Sequence, residues 1–458
     1  MTPKLSIARE VAYDAFIEVM EQSKDPTVAV EALYKRLPTP LKKVDRALVK
    51  EVLFGSLRWH SKIFWIIQNT STRDLNKSSP EIRAALILGT YQIFYMDRIP
   101  DRAAVNESVE YVKKKGQAHA IKFVNGILRS ISRRAEYFAK PDKNKKPVDY
   151  LSLQFAHPKW IVERWSQRFN FERLKELLAA NNKTPPNSIR MNKLKIPADE
   201  VQKFRSELLR QDRNHSDRRS LRSCLHLKNS INFEKESLFQ SGYYTIQDES
   251  SQLISLLVNP QQDELVIDSC CGPGGKTGHI YELGEEKTRI IAIEKDKSQL
   301  EKAQENFKRL GHSQNIRWEN IDFLEYKTEK TIDKILIDAP CSGLGVLRRH
   351  PEGKWQKSFS IISKMASRQR ELLQHGLSLL KIGGEIVYSV CSFEQEETID
   401  QLNWLKTNFG DTIELVSPVS RIPDYYKRFI TRDNILLIYS GNKDMMDGFG
   451  AFIIKKIK

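Results

Sequence analysis

Four short runs of β-branched and aliphatic residues, each followed by a turn and a helical stretch, dominate the C-terminal half of the chain. They read ELVIDSC, RIIAIEK, KILIDAP and GGEIVYSVC, and they begin at about residue 264. Strands that alternate with helices in this way form a doubly wound α/β domain with a largely parallel sheet. In such sheets, ligands bind beyond the carboxyl ends of the strands. Functional residues are therefore expected where these four runs end.

The N-terminal part of the chain has a different pattern. Apolar residues recur at helical spacing from Ser6 to about Phe138, which predicts an all-helical block. Residues 140–147, KPDKNKKP, are charged and bracketed by prolines, as in an exposed linker. We therefore expect a helical domain over 1–140, a linker over 141–150, a small mixed α/β domain over 151–245 and the doubly wound domain over 246–458.

The chain carries a strong positive charge. Lys and Arg total 74 against 58 Asp and Glu over 458 residues, for a formal net charge of +16. This surplus favours a polyanionic partner, nucleic acid first, although charge that serves solubility alone is the alternative. No apolar stretch reaches the roughly 20 residues that span a bilayer, and charged residues interrupt the N-terminus before a signal-peptide core. We expect a cytoplasmic protein with no membrane partner.

Cysteine usage fits a reducing compartment. The chain has 5 cysteines, an odd number, and only Cys270 and Cys271 are adjacent. No CxxC spacing occurs, so we expect neither a disulfide framework nor a metal site.

A glycine-rich turn, DSCCGPGGKTGHI, follows the first strand. Its glycines let the backbone approach a ligand closely before a helix starts. The dinucleotide fingerprint GxGxxG fails, because Thr277 stands where the third glycine belongs. The P-loop pattern comes nearer through Gly275, Lys276 and Thr277, but Cys270 stands at its first glycine. The turn alone therefore does not decide which nucleotide is bound.

Acidic residues follow the neighbouring strands. Glu294 lies 26 positions after Asp268, where a carboxylate accepts hydrogen bonds from both ribose hydroxyls of a nucleoside. Asp322, in ENIDFLEY, either meets an adenine amino group or simply starts a turn. Together with the glycine turn, these acids fit a nucleoside cofactor that carries little phosphate. S-adenosylmethionine is such a cofactor.

Two cysteines stand at the ends of the last two runs. Cys341 follows a proline in the turn after KILIDAP, and Cys391 ends GGEIVYSVC. A buried structural cysteine is the alternative for each, but two of them at ligand-facing strand ends favour a chemical role. We expect Ser392 to cap a following helix, whose N-terminus favours the thiolate form of Cys391. The negative charges of Glu394, Glu396 and Glu397 oppose that effect.

A methyl-donor site has a use for such cysteines. C5 of cytosine is a poor nucleophile, and addition of a thiolate to C6 makes C5 enamine-like, so that it accepts a methyl group. The C5 proton must leave before the covalent bond breaks, so one thiol attacks and another group helps release. Asp338 is expected to donate to or protonate N3 as electrons move into the ring. The base must also leave its stack, at a cost of a few kcal/mol.

Several long motifs resemble those of RNA 5-methylcytosine methyltransferases: DSCCGPGGKTGHI, DAPCSGLGVLRRHPEGKW, YSVCSFEQEE and QDESSQ. The N-terminal region resembles the helical domain of the antitermination factor NusB, through DRALVKEVLFGSLR and FVNGILRSISR. This pairing resembles the RsmB/Sun/Fmu family of bacterial 16S rRNA (cytosine-C5)-methyltransferases. The resemblance implies a Rossmann-like S-adenosylmethionine-dependent methyltransferase domain, preceded by a small mixed α+β domain and an all-α NusB-like domain.

The resemblance also implies roles for single residues. It makes Cys391 the nucleophile and Cys341 the cysteine that assists release of the methylated base. Asp338 then serves both base and cofactor. The implied cofactor residues are Cys270, Cys271, Gly272, Pro273, Gly274, Gly275, Lys276, Glu294, Asp322 and Asp338.

The chain departs from the family pattern at three places. Cys271 and Gly272 replace two alanines of the cofactor loop, Glu294 replaces an aspartate, and Val390 replaces the threonine before the nucleophile. All are expected to preserve the reaction type and to affect its rate.

The implied substrate is a cytosine in 16S rRNA, as for the enzyme that modifies cytosine 967, and we expect a monomer. We also expect positive charge in the helical region, over Lys113–Lys115 and residues 129–146, to engage RNA. Arg348, Arg349 and His350 are expected to hold phosphates beside Cys341. A tRNA cytosine methyltransferase, a non-catalytic assembly factor and, more distantly, a P-loop ATPase are the alternatives.

Overall fold

The computed structural model describes residues 5–134, 140–197, 199–211, 221, 223–227, 233, 236–312, 315–441 and 446–458. The chain divides into two compact units, Met1–Thr184 with Leu347–Phe359, and Pro185–Val346 with Ser360–Lys458. The four segments expected from the sequence remain a prediction.

The first unit is built from helices, which confirms the all-α character expected of the N-terminal region. Two of its helices begin with the same signal, a polar N-cap followed by proline: Asp25 precedes Pro26, and Ser79 precedes Pro80. Its larger helices are α1 (Ile7–Gln22), α2 (Pro26–Lys35), α3 (Lys43–Thr70), α4 (Pro80–Tyr95), α5 (Asp101–Lys114), α6 (Ile121–Arg134), α7 (Pro147–Gln154), α8 (Lys159–Ser166) and α9 (Phe171–Asn181).

The core of this unit forms around α4, whose apolar residues are buried almost all round. Close packing there depends on Gly89. A Cβ at this position would lie 2.6 Å from Oγ of Ser108 and 2.8 Å from a methyl group of Leu128. Burial on nearly all sides makes α4 a core helix of this unit.

The segment Leu347–Phe359 packs into the helical unit, although the chain on either side of it belongs to the second unit. The buried Lys354 ammonium donates to the carbonyl oxygens of Arg58 and Ala156, both at 3.2 Å, and to Oδ1 of Asn182 at 2.6 Å. The Trp355 indole donates to the carbonyl oxygen of Leu57 at 2.6 Å. These partners satisfy the buried side-chain nitrogens of Lys354 and Trp355.

This packing changes the expected phosphate contacts. The Arg348 side chain is only 5% exposed, so its assignment to phosphate is wrong, because the segment that carries it is buried in the helical unit. His350 is exposed and lies 3.1 Å from Glu352. The three lysines Lys113–Lys115 form ion pairs with acidic residues of the same unit. Residues 135–139 of the other basic stretch lie outside the described residues.

The second unit contains two sheets. The smaller is antiparallel, in the order β2-β1-β3, and accompanies the mixed segment that the sequence predicts. Its elements, with the helices of the same stretch, are β1 (Asn187–Met191), α10 (Val201–Gln211), β2 (Cys224–Leu227), α11 (Ser237–Gln240) and β3 (Tyr244–Ile246).

The larger sheet confirms the doubly wound, mostly parallel domain. Its neighbouring elements are α12 (Glu249–Val258), β4 (Leu265–Asp268), α13 (Gly275–Leu283), β5 (Arg289–Ile293), α14 (Lys297–Leu310), β6 (Ile316–Glu319), β7 (Ile332–Asp338), α15 (Gly353–Gln356, in the helical unit), α16 (Ser360–Leu379), β8 (Leu380–Val390), α17 (Ile399–Phe409), β9 (Ile413–Val416), β10 (Leu436–Ile438) and β11 (Phe449–Lys456).

The strands of this sheet run in the order β10-β11-β8-β7-β4-β5-β6, and β9 also pairs with β11. From β8 to β6 every neighbouring pair is parallel, whereas β11 is antiparallel to β8. The carboxyl ends of β4, β5, β7 and β8 therefore meet at one edge. No helix within the described residues is long and apolar enough to cross a membrane.

A buried ion pair connects the small sheet to α13, the helix that follows the first strand of the large sheet. Arg190 of β1 donates to Glu282 of α13 at 2.7 Å and 3.2 Å, and both side chains are 0% exposed. The same guanidinium donates to the carbonyl oxygen of Gly275 at 2.8 Å, where the glycine turn becomes helical. Arg190 thereby ties the small sheet to the turn that precedes α13.

Removing one partner of this pair should destabilise the protein. We expect Glu282→Ala to lower the free energy of unfolding by about 3–5 kcal/mol, because the Arg190 guanidinium stays buried without its counter-charge. The double variant Arg190→Met/Glu282→Leu removes both charges and should recover most of that loss. Urea denaturation measures both, and an equal loss in the single and double variants would contradict the prediction.

Candidate active site

The residues predicted from strand ends lie together. Asp268 ends β4, Asp338 ends β7, Glu294 follows β5 and Cys391 follows β8. The parallel register aligns Asp268 with Leu336 of β7, and Asp338 with Ser389 of β8. These side chains therefore reach the same edge of the sheet.

The two cysteines at this edge are in contact. Sγ of Cys341 lies 3.1 Å from Sγ of Cys391, and both residues are partly buried. The hydrogen bond with Cys391, burial and the negative charge of Glu397 all raise the pKa of Cys341 well above its usual value. Cys341 therefore holds its proton at neutral pH.

The backbone after Cys391 differs from the sequence expectation. The expectation that Ser392 caps an α-helix is wrong: its Oγ accepts the N–H of Glu394 at 3.2 Å in a turn, and a 3-10 helix of three residues, Gln395–Glu397, follows. The α-helix α17 begins only at Ile399. The turn and the 3-10 helix occupy the backbone between Ser392 and Ile399, so no α-helix N-terminus adjoins Cys391.

Asp338 is held between two donors. Lys276 Nζ lies 2.6 Å from Oδ2 of Asp338, and the Ser389 hydroxyl donates to Oδ1 at 2.7 Å. The lysine ammonium also lies 5.2 Å from the ring centroid of Phe449. From the sequence, Lys276 was expected in the cofactor loop, and Asp338 was expected to serve both the base and the cofactor. Nothing in the sequence indicated that the two side chains would pair.

The glycine turn is shaped by its neighbours. Gly274 has a φ of +79°, and a Cβ there would lie 2.9 Å from Cβ of Ala303, so both conformation and space require glycine. The N–H of Gly272 donates to Oε2 of Glu294 at 2.9 Å. The side chain of Cys271, at one of the departures from the family pattern, packs in a small apolar cluster with Leu300. The turn thus accommodates both Cys271 and Glu294, two of the departures from the family pattern.

Burial changes the acidity of this turn. It raises the pKa of Asp268 to about 7, although the Thr277 hydroxyl, which donates to this carboxyl at 2.7 Å, lowers it. Burial also raises the pKa of Cys270 to about 12 and that of Cys271 further. Neither cysteine of the turn is therefore a thiolate near neutral pH.

A cavity of about 240 Å³ opens beside the turn. Cys270, Glu294, Asp322 and Asp338 line it, and all four were predicted from the sequence as cofactor residues. Carboxylates suit the ribose hydroxyls and ammonium of S-adenosylmethionine, and the apolar part of the wall suits its adenine. That part is formed by Ile321, Phe323, Pro340 and Leu372. The donor set and the wall therefore fit this cofactor.

Asp322 has a local role and a distant partner. Its Oδ1 accepts the N–H of Leu324 at 3.1 Å and so starts a short 3-10 helix, as one of the two sequence interpretations proposed. Its Oδ2 lies 2.6 Å from Arg368 of α16, another wall residue of the cavity. Arg368 was missed, because an arginine on an amphipathic helix 46 positions away looks like ordinary surface.

Elsewhere in the second unit, the buried side chains of Cys224, His226 and Glu249 are close enough to share a cation. Both ring nitrogens of His226 already have partners, Ser188 at 2.9 Å and Glu249 at 2.9 Å. The expectation that the chain needs no metal remains a prediction.

Three families of known proteins match parts of this chain. Residues 255–435 match the family described as 16S rRNA methyltransferase RsmB/F, residues 6–133 match the NusB family, and residues 157–234 match the ferredoxin-like domain of RsmF/B-like methyltransferases. A methyltransferase homologue from Pyrococcus horikoshii has a solved structure that is similar at 26% identity with a TM-score of 0.56, over 67% of this chain and 97% of that one.

The relatives extend over nearly the whole chain. The probable ribosomal RNA small subunit methyltransferase B of Bacillus subtilis is 30% identical over 99% of both chains. Ribosomal RNA small subunit methyltransferase B of Escherichia coli O6:K15:H31 is 31% identical over 86% of this chain and 88% of its own. The solved structure of the protein PH0851 shares the fold, with a TM-score of 0.80 at 23% identity over 99% of this chain and 100% of that one.

Fold and strand-end site together define a Rossmann-like methyltransferase that uses S-adenosylmethionine. The chain belongs to the RsmB/F family of 16S rRNA methyltransferases, with a NusB-type helical domain and a ferredoxin-like domain before the catalytic one. The P-loop alternative is therefore wrong. The glycine turn lacks the first P-loop glycine, and its lysine pairs with Asp338.

The raised pKa of Asp268 has a consequence for stability. Between pH about 4 and pH about 7, Asp268 stays protonated in the folded protein and ionises in the unfolded chain, so rising pH lowers the free energy of unfolding by up to about 4 kcal/mol. Asp268→Asn should not show this loss. Denaturation of both proteins without cofactor, across this pH window, measures the difference, and a difference independent of pH would contradict the prediction.

Proposed function

We propose that the chain methylates C5 of a cytosine in 16S rRNA through a covalent bond between Cys391 and C6 of the base. The observation that carries this proposal is the 3.1 Å contact between the sulfurs of Cys341 and Cys391 at the strand ends. A non-catalytic scaffold needs neither sulfur, and a simple nucleophile needs only one. Two sulfurs in contact, beside a methyl-donor site, match a reaction that must both make and break a carbon–sulfur bond.

In this proposal Cys391 acts first. Its thiolate adds to C6, and the electrons that move into the ring make C5 nucleophilic. Asp338 faces N3, and as negative charge builds there its carboxylate relays to N3 a proton from the Lys276 ammonium, 2.6 Å away, which stays a neutral amine until N3 returns the proton. Ser389 fixes the carboxyl from its other oxygen at 2.7 Å.

The cofactor residues hold the methyl donor beside this centre. Glu294 and Asp322 bind its nucleoside, and the turn from Cys270 through Lys276 encloses its amino-acid part. When bound, S-adenosylmethionine supplies an electrophilic methyl group. The wall of the cavity reaches Asp338, the residue shared with the base.

Cys341 acts last. After C5 has lost its proton to a base, the bond between C6 and Cys391 breaks and the sulfur leaves as a thiolate, while N3 returns its proton. The Cys341 thiol, which keeps its own proton, donates a hydrogen bond to that departing sulfur. Release of the methylated base therefore depends on Cys341.

Ribosomal RNA is the proposed substrate because the family and its relatives are named for small-subunit rRNA and the net charge is +16. We propose the equivalent of cytosine 967 as the target, a monomer as the active form and the cytoplasm as its place of action. Bisulfite sequencing of total RNA from cells with and without the protein tests the substrate. Loss of one 16S rRNA signal is expected, whereas loss of a tRNA signal would reject the ribosomal assignment.

Replacing the nucleophile should stop chemistry and spare binding. We expect Cys391→Ala to lower methyl transfer below detection and to leave the affinity for S-adenosylmethionine within about twofold, because the thiol bonds only to the base. Transfer of a labelled methyl group to RNA measures the activity, and equilibrium titration with S-adenosylmethionine measures the affinity. Cys224→Ala, at a buried cysteine of the small sheet, is the matched control, and its folded fraction should retain transfer. Turnover by Cys391→Ala would reject the assignment.

Replacing the second cysteine should block release. We expect Cys341→Ala to accumulate a covalent complex with RNA that survives denaturant, because the bond to Cys391 still forms but breaks slowly. Denaturing gel electrophoresis after incubation with 16S rRNA and S-adenosylmethionine detects it. If the folded variant binds RNA and leaves no complex, Cys341 does not act in release.

A further inference from the structure

The loops that carry the two cysteines are held together by a third side chain. Glu397 lies in the short 3-10 helix after Cys391, and its side chain is buried. Its Oε1 accepts the backbone N–H of Ser342 at 2.6 Å, and its Oε2 accepts the Ser342 hydroxyl at 2.5 Å. Ser342 is the residue directly after Cys341. One carboxylate from the Cys391 loop therefore binds the Cys341 loop twice.

Further hydrogen bonds converge on this contact. The Gln369 amide of α16 donates to Oε1 of Glu397 at 3.2 Å and to the carbonyl oxygen of Pro340 at 3.0 Å, so it holds the residue before Cys341. The Ser342 hydroxyl also lies 3.3 Å from that of Ser392, the residue directly after Cys391. Both cysteines are thus flanked by residues of one buried network.

A backbone bond joins the same loops from the other side. The N–H of Gly345 donates to the carbonyl oxygen of Cys391 at 3.1 Å. A Cβ at Gly345 would lie 2.9 Å from the same carbonyl oxygen of Cys391, so the loops approach closely here. This bond joins backbone atoms, so replacing a side chain does not remove it directly. The contact between the Glu397 carboxylate and Ser342 is the one that a substitution can remove.

The charge of Glu397 acts on one cysteine of the pair. Burial raises the pKa of Glu397 above its usual value, and hydrogen bonds from Ser342, Ser392 and Gln369 offset part of that rise. The hydrogen bond with Cys391 and burial raise the pKa of Cys341, and the negative charge of Glu397 raises it further. The carboxylate is therefore linked to Cys341 by position and by charge.

We propose that Glu397 is a positioning residue for release, which holds the Cys341 thiol against the sulfur of Cys391 through Ser342. The inference rests on the proposed function, because it assumes that Cys341 assists release. Glu397 does not touch base or cofactor in this assignment. Its loss displaces Cys341 and leaves Cys391, at the end of β8, able to attack.

The test is the fate of the covalent RNA complex in the full-length protein, incubated with unmodified 16S rRNA and S-adenosylmethionine. Glu397→Ala should accumulate the complex and slow product release about 100-fold, as for a misplaced catalytic group. Glu397→Gln keeps the shape and one of the two acceptors for Ser342, so its release should stay within about tenfold of the wild type. Glu396→Ala, at the adjacent position, is the matched control and should behave as the wild type.

Release at the wild-type rate by Glu397→Ala would overturn the inference. So would the loss of both complex and product in a variant that still binds S-adenosylmethionine. Equal defects in Glu397→Gln and Glu397→Ala would also overturn it. A merely structural role would reduce complex formation rather than its breakdown. If Glu397→Ala does not fold, Ser342→Ala decides, with slower release expected and unchanged release contradictory.

Cys341→Ala is run in parallel. A complex with Cys341→Ala but none with Glu397→Ala rejects the positioning role alone, whereas no complex with Cys341→Ala rejects the proposed function itself.

Discussion

Parallel pairing of β7 with β4 and β8 is the constraint on which the site depends. The central residues of these strands are almost completely buried, among them Ile267, Leu336 and Val387, so a shift of register would expose apolar surface. The register that buries them also brings Asp338 opposite Ser389 and ends both strands at one edge. The contact between the two sulfurs follows from that alignment and from the short loops after it.

Two identical thiols differ in this site because their surroundings differ. Cys391 directly follows a strand, whereas Cys341 stands in a loop that is fixed by a buried carboxylate. The contact with Cys391, burial and, to a smaller extent, the negative charge of that carboxylate all raise the pKa of Cys341 and favour its protonated form. Under the proposed mechanism, the same network that sets the distance between the sulfurs also separates attack from release.

Much of this arrangement could be predicted from sequence, because strands, turns and strand-end residues are local signals. Asp268, Glu294 and Cys391 were located by the end of a β-branched run alone. Side chains that meet only in the fold left no such signal: Arg368 reaches Asp322 from a distant helix, and Lys276 pairs with Asp338. The burial of Arg348 was also missed, because nothing near it in sequence indicates that its segment belongs to the helical unit formed mainly by the N-terminal region.

The covalent step is tested most directly with 16S rRNA whose cytosines carry fluorine at C5. Fluorine cannot leave as a proton does, so methyl transfer should end in a complex that the enzyme cannot resolve. Peptide mass spectrometry of that complex is predicted to locate the RNA on the sulfur of residue 391, and only when S-adenosylmethionine is present. Attachment at residue 341, or no stable complex at all with an enzyme that methylates ordinary RNA, would contradict the proposed mechanism.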